Sequence, residues 1–527
     1  MITKVAIKRG EYYDSVTLLQ VAQEIAGLDG VQDAAVIMGT PANKGILDNA
    51  GLLTSEADAA SADDLVIAVR ADSEALADKA LEEASAAMER SRAPREGSGE
   101  VAARPKTVEA AVKQLDGANI ALISVAGQYA TGVAREALER GLHVFLFSDN
   151  VPVEDERRLK EFARERGLLV MGPDAGTAII NGVALGFANQ ILHTPPTPGG
   201  VGIVAAAGTG LQAVTCELAR RGVGITQGIG TGGRDLSSEI GGLMMLEGLK
   251  ALQADPDTEV LLLVSKPPSP DVASEVLKQV RQSAKPTVVC FLGGKRKPVK
   301  KADAIPAATL EDAALIAAAL ANSQDPRDAR DAIKDRNRDL RDQAKSLRNR
   351  LAEGQRFFRG LFSGGTFCYE TQLILNRMLD DGAVLSNAPV DKANLLADAT
   401  VSQGHTAVDL GEDEFTVGRL HPMLDPTLRN RRILQEARDP ETAIIYLDIV
   451  LGYGVHPDPA GAACEVIREA QDVARREGRQ IIFIAHVCGT DGDPQNAGAQ
   501  EQKLRDAGVV VLPTNAAATR LAGYVLK

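Results

Sequence analysis

Two short glycine-rich segments carry the clearest chemical signal in this sequence. They consist of Gly208, Thr209 and Gly210, and of Gly364, Gly365 and Thr366. Each segment lies between an apolar run and an amphipathic stretch, which predicts a turn from a strand into a helix. The N–H groups at a helix N-terminus carry about half a positive charge and bind phosphate or carboxylate. One such turn is equally explained as a tight connection, but two in related halves favour anion binding.

Four side chains are candidates to act on a bound anion. Arg234 and Arg419 could hold a carboxylate or phosphate bidentately. Lys266 follows a predicted parallel strand, at the edge of the sheet where ligands usually lie. His421 could act as a proton donor. An ion pair with Asp235 would explain Arg234 equally well, and a structural turn would explain His421.

The sequence predicts no metal centre. Its five cysteines form no CxxC pair, and the acidic and histidine residues near predicted strand ends lack ligand spacing. An odd number of unpaired cysteines is typical of a reducing compartment, so we expect a cytoplasmic location.

Composition also excludes classes of partner. Lys and Arg number 58 against 71 Asp and Glu, a net charge of −13 that counts against nucleic-acid binding. The longest apolar runs, such as Val260–Val264, have the length of a strand, whereas a membrane-spanning helix needs about 20 residues. We therefore expect no membrane partner.

Short β-branched runs alternate with amphipathic stretches along most of the chain, which predicts a multidomain α/β protein with parallel sheets. A different pattern, with charged residues and a narrow apolar stripe, predicts one long helix between two of the domains. The predicted parts are a small α/β domain (1–92), a linker (93–107), a Rossmann-like domain (108–197), a flavodoxin-like domain (198–322), a charged helical linker (323–357) and a second flavodoxin-like domain (358–527).

The last domain has the pattern of a degenerate copy of the domain at 198–322. Both open with a glycine-rich turn and end with a helix of small residues, and the second copy has an insertion of about 25 residues around Ser386–Leu410. A duplication predicts a pseudo-twofold pair in which the two glycine turns face one cleft.

Several strings resemble the FdrA family, which is similar to the succinyl-CoA synthetase superfamily. They include Met38–Lys44, Gly172–Asp174, Gly232–Leu236, Ser265–Pro268 and Val417–Pro426. The resemblance implies a CoA-binding-like Rossmann domain followed by two flavodoxin-like domains.

The sequence also departs from the superfamily pattern. Succinyl-CoA synthetases use a phosphohistidine, but the corresponding segment 295–302 contains no histidine, and none occurs between His193 and His405. The glycine-rich CoA loop and an ATP-grasp domain are not evident. Glu370 matches the glutamate that supports the phosphohistidine and is therefore a catalytic candidate. The equivalent position in the first copy is Ala213.

Some FdrA proteins are subunits of oxamate carbamoyltransferase in allantoin degradation. The resemblance therefore implies carbamoyl transfer between oxalurate and phosphate, with small anionic substrates, no required cofactor and other subunits of the same pathway as partners. Two alternatives remain open. One is a succinate-CoA ligase-type acyl-CoA synthetase that uses CoA, ATP and a nucleotide-binding partner. The other is a non-catalytic scaffold or regulatory subunit.

Overall fold

The computed structural model describes residues 2–11, 13, 15–92, 105–191, 200–380, 382–416 and 419–527. The chain forms two compact units, one of Met1–Asp116 with Asp413–Leu420 and one of Gly117–Glu412 with His421–Lys527. Most of the predicted linker, residues 93–104, lies outside the described residues. No helix among the described residues has both the length and the apolar character needed to cross a membrane.

The first unit contains the predicted small α/β domain. Its elements are β1 (Ile2–Lys8), α1 (Ser15–Ala26), β2 (Val31–Met38), α2 (Pro41–Asn49), α3 (Ser55–Asp58), β3 (Leu65–Ala71), α4 (Glu74–Arg92) and α5 (Val108–Gln114). The sheet has the order β1-β3-β2, and the central β3 is antiparallel to both neighbours. Because the side chains of β3 alternate between two apolar clusters, α1 and α4 cover one face of the sheet, and α2 and α3 cover the other.

The second unit begins with a three-stranded parallel sheet and then a hairpin. The elements are β4 (Ile120–Ile123), α6 (Gly127–Glu139), β5 (His143–Leu146), α7 (Val153–Arg164), β6 (Val170–Met171), β7 (Thr177–Ile180) and β8 (Val183–Gly186). The hairpin of β7 and β8 joins the sheet of the following domain. The chain therefore enters that sheet before residue 197, where the sequence placed the domain boundary.

The first lobe is the predicted flavodoxin-like domain. Its elements are β9 (Val201–Ala206), α8 (Gly208–Ala219), β10 (Ile225–Gly230), α9 (Leu243–Ala254), β11 (Val260–Ser265), α10 (Pro270–Val280), β12 (Thr287–Phe291), α11 (Arg296–Lys301), β13 (Ile305–Pro306) and α12 (Leu310–Ala321). The sheet order is β13-β12-β11-β9-β10-β7-β8, and the strands from β13 to β10 are parallel.

The second lobe follows a long helix. The elements are α13 (Pro326–Arg348), β14 (Phe357–Phe362), α14 (Gly365–Leu375), β15 (Thr406–Asp409), α15 (Asp413–Thr416, in the first unit), α16 (Thr427–Arg438), β16 (Thr442–Val450), α17 (Pro459–Arg476), β17 (Ile482–Cys488), α18 (Ala497–Asp506), β18 (Val510–Leu512) and α19 (Asn515–Leu526), with a 3-10 turn at Lys392–Asn394. The sheet order is β15-β14-β16-β17-β18.

The two lobes have the same topology. Numbered within each lobe, both sheets have the strand order 2-1-3-4-5 of flavodoxin-like folds, which supports the predicted duplication. The segment 386–410 is not wholly an insertion, because it ends in β15, the second strand of its lobe. In such sheets ligands bind at the switch points, here between β9 and β11 and between β14 and β16.

The lobes share one apolar core. Side chains from both sheets meet through α8, α12, α14 and α19 in a single buried cluster. Within the predicted helical linker at 323–357, the helix is α13, which spans Pro326–Arg348. Its buried stripe of Ile333, Leu340, Ala344 and Leu347 packs on α12 and α19, so it covers both lobes and is more than a spacer.

Candidate functional site

The two glycine turns face each other. A Cβ placed on Gly364 would lie 2.8 Å from Cγ2 of Thr209, and one on Gly210 would lie 3.2 Å from Cγ2 of Thr366. A side chain at Gly364 would therefore collide with Thr209, and one at Gly210 would press against Thr366. The paired arrangement that the duplication predicted is present.

Five N–H groups at these helix starts are open to an acceptor. They belong to Gly208, Thr209 and Gly210 of α8 and to Gly365 and Thr366 of α14. Within the described residues none of them donates a hydrogen bond, and neither helix has a side-chain cap. Gly208 is exposed and Gly365 is partly exposed, whereas Thr209, Gly210 and Thr366 are buried.

The second turn already holds an internal carboxylate. Asp448, which is fully buried in β16, accepts from Ser363 N at 2.8 Å and from Gly364 N at 2.7 Å. Arg429 lies 3.5 Å from the Asp448 carboxylate, and burial raises the pKa of Asp448. The prediction that the Gly364 N–H binds a ligand is therefore wrong, because Asp448 occupies it. The same contact shows that this helix start accommodates a carboxylate.

Asp409 is a site residue that sequence reasoning missed. It ends β15, and a Cβ on Gly365 would collide with its Oδ2, so the carboxylate lies against the start of α14. Burial, together with the charge of Glu412, raises the pKa of Asp409 to about 7, while the charge of Lys266 opposes the shift. The end of a parallel strand is a position where site residues are expected, so Asp409 could have been found from it. The strand was missed because it lies in the segment that the sequence analysis took for an insertion.

Lys266 connects the two lobes at this point. It directly follows β11, as predicted, and its Nζ lies 5.5 Å from the ring centroid of Tyr369 on α14. Its positive charge partly offsets the burial that raises the pKa of Asp409, so the two groups lie within electrostatic range. Lys266 therefore brings a positive charge from the first lobe close to Tyr369 on α14 of the second.

His421 is near Asp409 but is not a cationic acid. A Cβ on Gly411 would lie 2.8 Å from His421 Nε2 and 3.2 Å from Asp409 Oδ1. Nδ1 accepts from Met423 N at 3.2 Å, so the neutral ring carries its proton on Nε2. Burial lowers the pKa of His421 to about 4. At neutral pH its Nε2–H can donate a hydrogen bond.

Arg234 is already engaged within the protein. Its Nε lies 3.0 Å from Glu156 Oε2, and its Nη2 donates to Val151 O at 2.8 Å. Asp235, the partner considered from sequence, binds the buried Lys160 instead. Two of its donors therefore serve Glu156 of α7 and the Val151 carbonyl, and its role as a substrate clamp stays a prediction.

Arg419 lies in Asp413–Leu420, the segment that belongs to the first unit. It is exposed, its N–H donates to Thr416 O at 3.1 Å, and it follows residues 417–418, which lie outside the described residues. Its role as a substrate clamp stays a prediction.

Glu370 stabilises a helix junction. Its buried carboxylate accepts from Leu310 N at the start of α12 at 2.7 Å and from Asn515 Nδ2 at 2.8 Å. Burial raises its pKa. The carboxylate thus joins α14 to α12 and α19, and its catalytic role stays a prediction.

Replacing Asp409 by asparagine is expected to remove a pH dependence of stability. The folded-state pKa of about 7 exceeds the unfolded value of about 4, so the folded protein retains a proton that the unfolded chain releases in this range. The stability of the unmodified protein should therefore fall as pH rises from about 4 to 7. Asp409→Asn should be more stable than the parent at pH 8, by up to about 4 kcal/mol.

Urea unfolding at pH 5 and pH 8 measures this difference, with Asp472→Asn on the exposed face of α17 as the control. An advantage of Asp409→Asn that is the same at both pH values would show that Asp409 does not titrate in this range.

Two duplicated parallel-sheet lobes with facing, anion-ready helix starts define a CoA-ligase-like α/β protein. Family models agree: a CoA-ligase model matches residues 361–525, a CoA binding domain model matches 197–293, and a model described as AllF, heavy metal-associated domain, matches 1–105. The chain is 45% identical to the uncharacterized protein YahF of Escherichia coli, over 97% of this chain and 96% of that one. The chain therefore belongs to the FdrA family of the succinyl-CoA synthetase-like superfamily.

Other relatives match only part of the chain. The malate–CoA ligase subunit alpha of Methylorubrum extorquens is 29% identical over 36% of this chain and 64% of its own length. The ATP citrate lyase structure from Methanothrix soehngenii covers 41% of each chain at 17% identity, with a TM-score of 0.36. The CoA binding domain match falls on the first lobe, whereas the sequence placed a CoA-binding-like domain at 108–197.

No metal centre emerges in the described residues. No three His, Cys, Asp or Glu side chains there are arranged to hold an ion. The range matched by the heavy metal-associated model contains no cysteine, so it lacks the thiolate ligands that soft metals prefer.

Proposed function

We propose that the facing starts of α8 and α14 bind small anions and that the chain transfers a carbamoyl group between oxalurate and phosphate. The observation that carries the proposal is the set of five N–H groups, on two helices that face each other, without an acceptor among the described residues. Lys266 adds a positive charge next to them. Two helix ends suit a reaction that brings together two anions, phosphate and a carboxylate substrate.

The chemistry needs no phosphorylated side chain. A phosphate oxygen attacks the carbamoyl carbon of oxalurate, and the bond from that carbon to the oxamate nitrogen breaks. Asp409, protonated below its pKa of about 7, gives its proton to the leaving nitrogen. The N–H groups hold the anions and stabilise the oxyanion of the intermediate. Carbamoyl phosphate and oxamate leave. The absence of histidine from 295–302 is consistent with this direct transfer.

A second candidate is an acyl-CoA synthetase that works with a separate nucleotide-binding partner. The CoA-ligase and CoA binding domain matches favour it. The same N–H groups would then hold an acyl phosphate while CoA attacks its carbonyl carbon.

Two parallel assays distinguish these functions. The full chain, with and without the other subunits of its pathway, is given oxalurate and phosphate, and carbamoyl phosphate is measured. A second reaction supplies succinate, CoA and ATP, with hydroxylamine to trap activated acyl groups. Product in the first assay supports carbamoyl transfer, whereas product in the second alone would refute it. Activity in neither, with all partners present, would favour a scaffold.

Lys266→Met is expected to weaken phosphate binding roughly tenfold, the loss that accompanies about 1.4 kcal/mol from a charge-assisted contact. Calorimetric titration of inorganic phosphate into the full chain measures the change. Lys278→Met on the exposed face of α10 is the matched control. Equal phosphate affinity in the two variants would remove Lys266 from the site.

A further inference from the structure

The loop between β12 and β13 carries a dense group of positive charges, which we call the basic segment (residues 295–301). It has five cations in seven positions and no acidic residue; the cations are Lys295, Arg296, Lys297, Lys300 and Lys301. All five are exposed, whereas Val299 is buried and anchors the short helix α11 in the core of the first lobe. The rest of the chain is acidic enough to give a net charge of −13, so this concentration of positive charge is local.

The cations of the basic segment have no partner within the described residues. No ion pair or side-chain hydrogen bond joins any of them to another group there. The acidic residue nearest in sequence, Asp303, lies 3.7 Å from Arg281 instead. On the charged helix α13, by contrast, exposed cations pair with acids one turn away, as Lys334 does with Asp331 at 2.8 Å. The basic segment therefore differs from an ordinary solvated helix face.

The placement of these charges works against the stability of α11. Lys295 is the N-cap, and Arg296 and Lys297 begin the first turn, where the helix dipole disfavours positive charge. Lys297 and Lys301 are four positions apart, so their like charges repel along the helix surface. Residues that oppose local stability without a compensating partner are expected at functional positions. A bound anion would supply the missing negative charge.

The basic segment lies at the sheet edge where ligands bind in parallel α/β folds. Ser265 is in register with both Ala206 and Phe291, so β9, β11 and β12 end in one row. The start of α8 follows the first of these strand ends, Lys266 follows the second, and the basic segment follows the third. Positive groups therefore succeed one another along this edge.

The loops after β11 and β12 also approach the same helix of the second lobe. Lys266 lies beside Tyr369 of α14, and a Cβ on Gly293 would lie 3.0 Å from Leu373 Cδ2. Tyr369 and Leu373 are four positions apart, so they share one face of α14. The basic segment thus begins just beyond a point that lies further along α14 than Lys266, away from the helix start.

The residue types favour the linked phosphates of a small molecule as the occupant. Four of the five cations are lysines, which bind phosphate as point charges. The segment has no aromatic side chain on which a nucleic-acid base could stack. Protein interfaces are depleted of lysine and enriched in aromatic residues, so a protein partner fits less well. A chain of phosphates would meet several cations at once, which a single carboxylate cannot do.

We infer that the basic segment binds the oligophosphate chain of a small molecule, which is either an inorganic oligophosphate or a nucleoside polyphosphate. Lys297, Lys300 and Lys301 share one face of α11 by their spacing and provide the main contacts. The inference does not rest on the proposed function, because none of these residues belongs to the anion site at the starts of α8 and α14.

Calorimetric titration of the full chain with tripolyphosphate and, separately, with ATP tests the inference in the absence of divalent metal ions. Replacing Lys297, Lys300 and Lys301 together by glutamine should weaken the binding of tripolyphosphate about tenfold or more, because three charge-assisted contacts are lost. Raising the salt concentration from about 0.05 M to about 0.2 M should weaken the binding to the unmodified protein, because these contacts are exposed and screened.

The matched control removes three equally exposed charges from α13, through Lys334→Gln, Arg338→Gln and Lys345→Gln. It should leave the affinity for tripolyphosphate unchanged. Absence of tripolyphosphate and ATP binding to the unmodified protein would overturn the inference. Equal losses in the two triple variants, or a glutamate oligomer of equal charge that binds as tightly as tripolyphosphate, would overturn it too, because charge alone would then be recognised.

Orthophosphate separates this inference from the proposed function. Orthophosphate reports on the starts of α8 and α14, so its affinity should be the same in the unmodified protein and in the triple variant of the basic segment. If orthophosphate does not bind but tripolyphosphate does, the anion site fails and the basic segment stands. Tighter binding of ATP than of tripolyphosphate identifies a nucleotide as the source of the phosphate chain, and the reverse order identifies an inorganic oligophosphate.

Discussion

Lys160→Met is expected to lower the free energy of unfolding by about 3–5 kcal/mol. Lys160 is fully buried, and its Nζ donates to Glu156 Oε1 at 2.8 Å, to Asp235 Oδ1 at 2.8 Å and to Thr231 O at 2.9 Å. Methionine retains most of the aliphatic length but leaves two buried carboxylates without their shared cation. This network joins α7 of the small sheet to the loop after β10, so its loss should loosen that contact.

Urea unfolding at pH 7 measures the loss. Arg157→Met on the same helix is the control, because Arg157 pairs with Glu154 and Glu161 at the surface, and such pairs contribute about 0–1 kcal/mol. If the Lys160 and Arg157 variants lost the same small amount, the two carboxylates would have to be hydrated or protonated in the folded protein.

Asp448→Ala is also expected to lower the free energy of unfolding by about 3–5 kcal/mol. The change removes the acceptor of the Ser363 and Gly364 N–H groups and leaves the buried guanidinium of Arg429 without its carboxylate. Buried donors and charges that lose a partner retain the full penalty of desolvation. The start of α14 should become the least protected part of that helix to hydrogen exchange.

Asp448→Asn separates charge from hydrogen bonding. The amide keeps one oxygen acceptor but cannot neutralise Arg429. We therefore expect Asp448→Asn to lower the free energy of unfolding, but by less than Asp448→Ala does. Asp472→Ala on the exposed face of α17 is the surface control. A loss for Asp448→Ala no larger than that of the surface control would show that water replaces the carboxylate at this turn.

Local patterns predicted much of the fold. The β/α alternation, the long charged helix α13 and both glycine turns follow from periodicity and from residue types that act over a few positions. The facing of the turns followed from the duplication. Asp409 was not found, because its strand β15 is only four residues long and follows a long irregular segment.

The positions of site residues were predicted where local sequence was enough, and their partners were missed where these lie far away in sequence. Lys266 was found because it directly follows a clear parallel strand. The partner of Arg234 was missed because Glu156 is 78 residues away in sequence, and the neighbouring Asp235 is drawn to Lys160. The occupation of the Gly364 N–H was missed because Asp448 lies 84 residues further along.

The sequence by itself determined the α/β class, the duplicated lobes and the two helix starts, since propensity, periodicity and glycine at a turn are local properties. Only the tertiary structure decided which of the donors at those starts remain open. A buried polar group takes the nearest acceptor that folding supplies, and that acceptor comes from whichever strand or helix the topology places beside it.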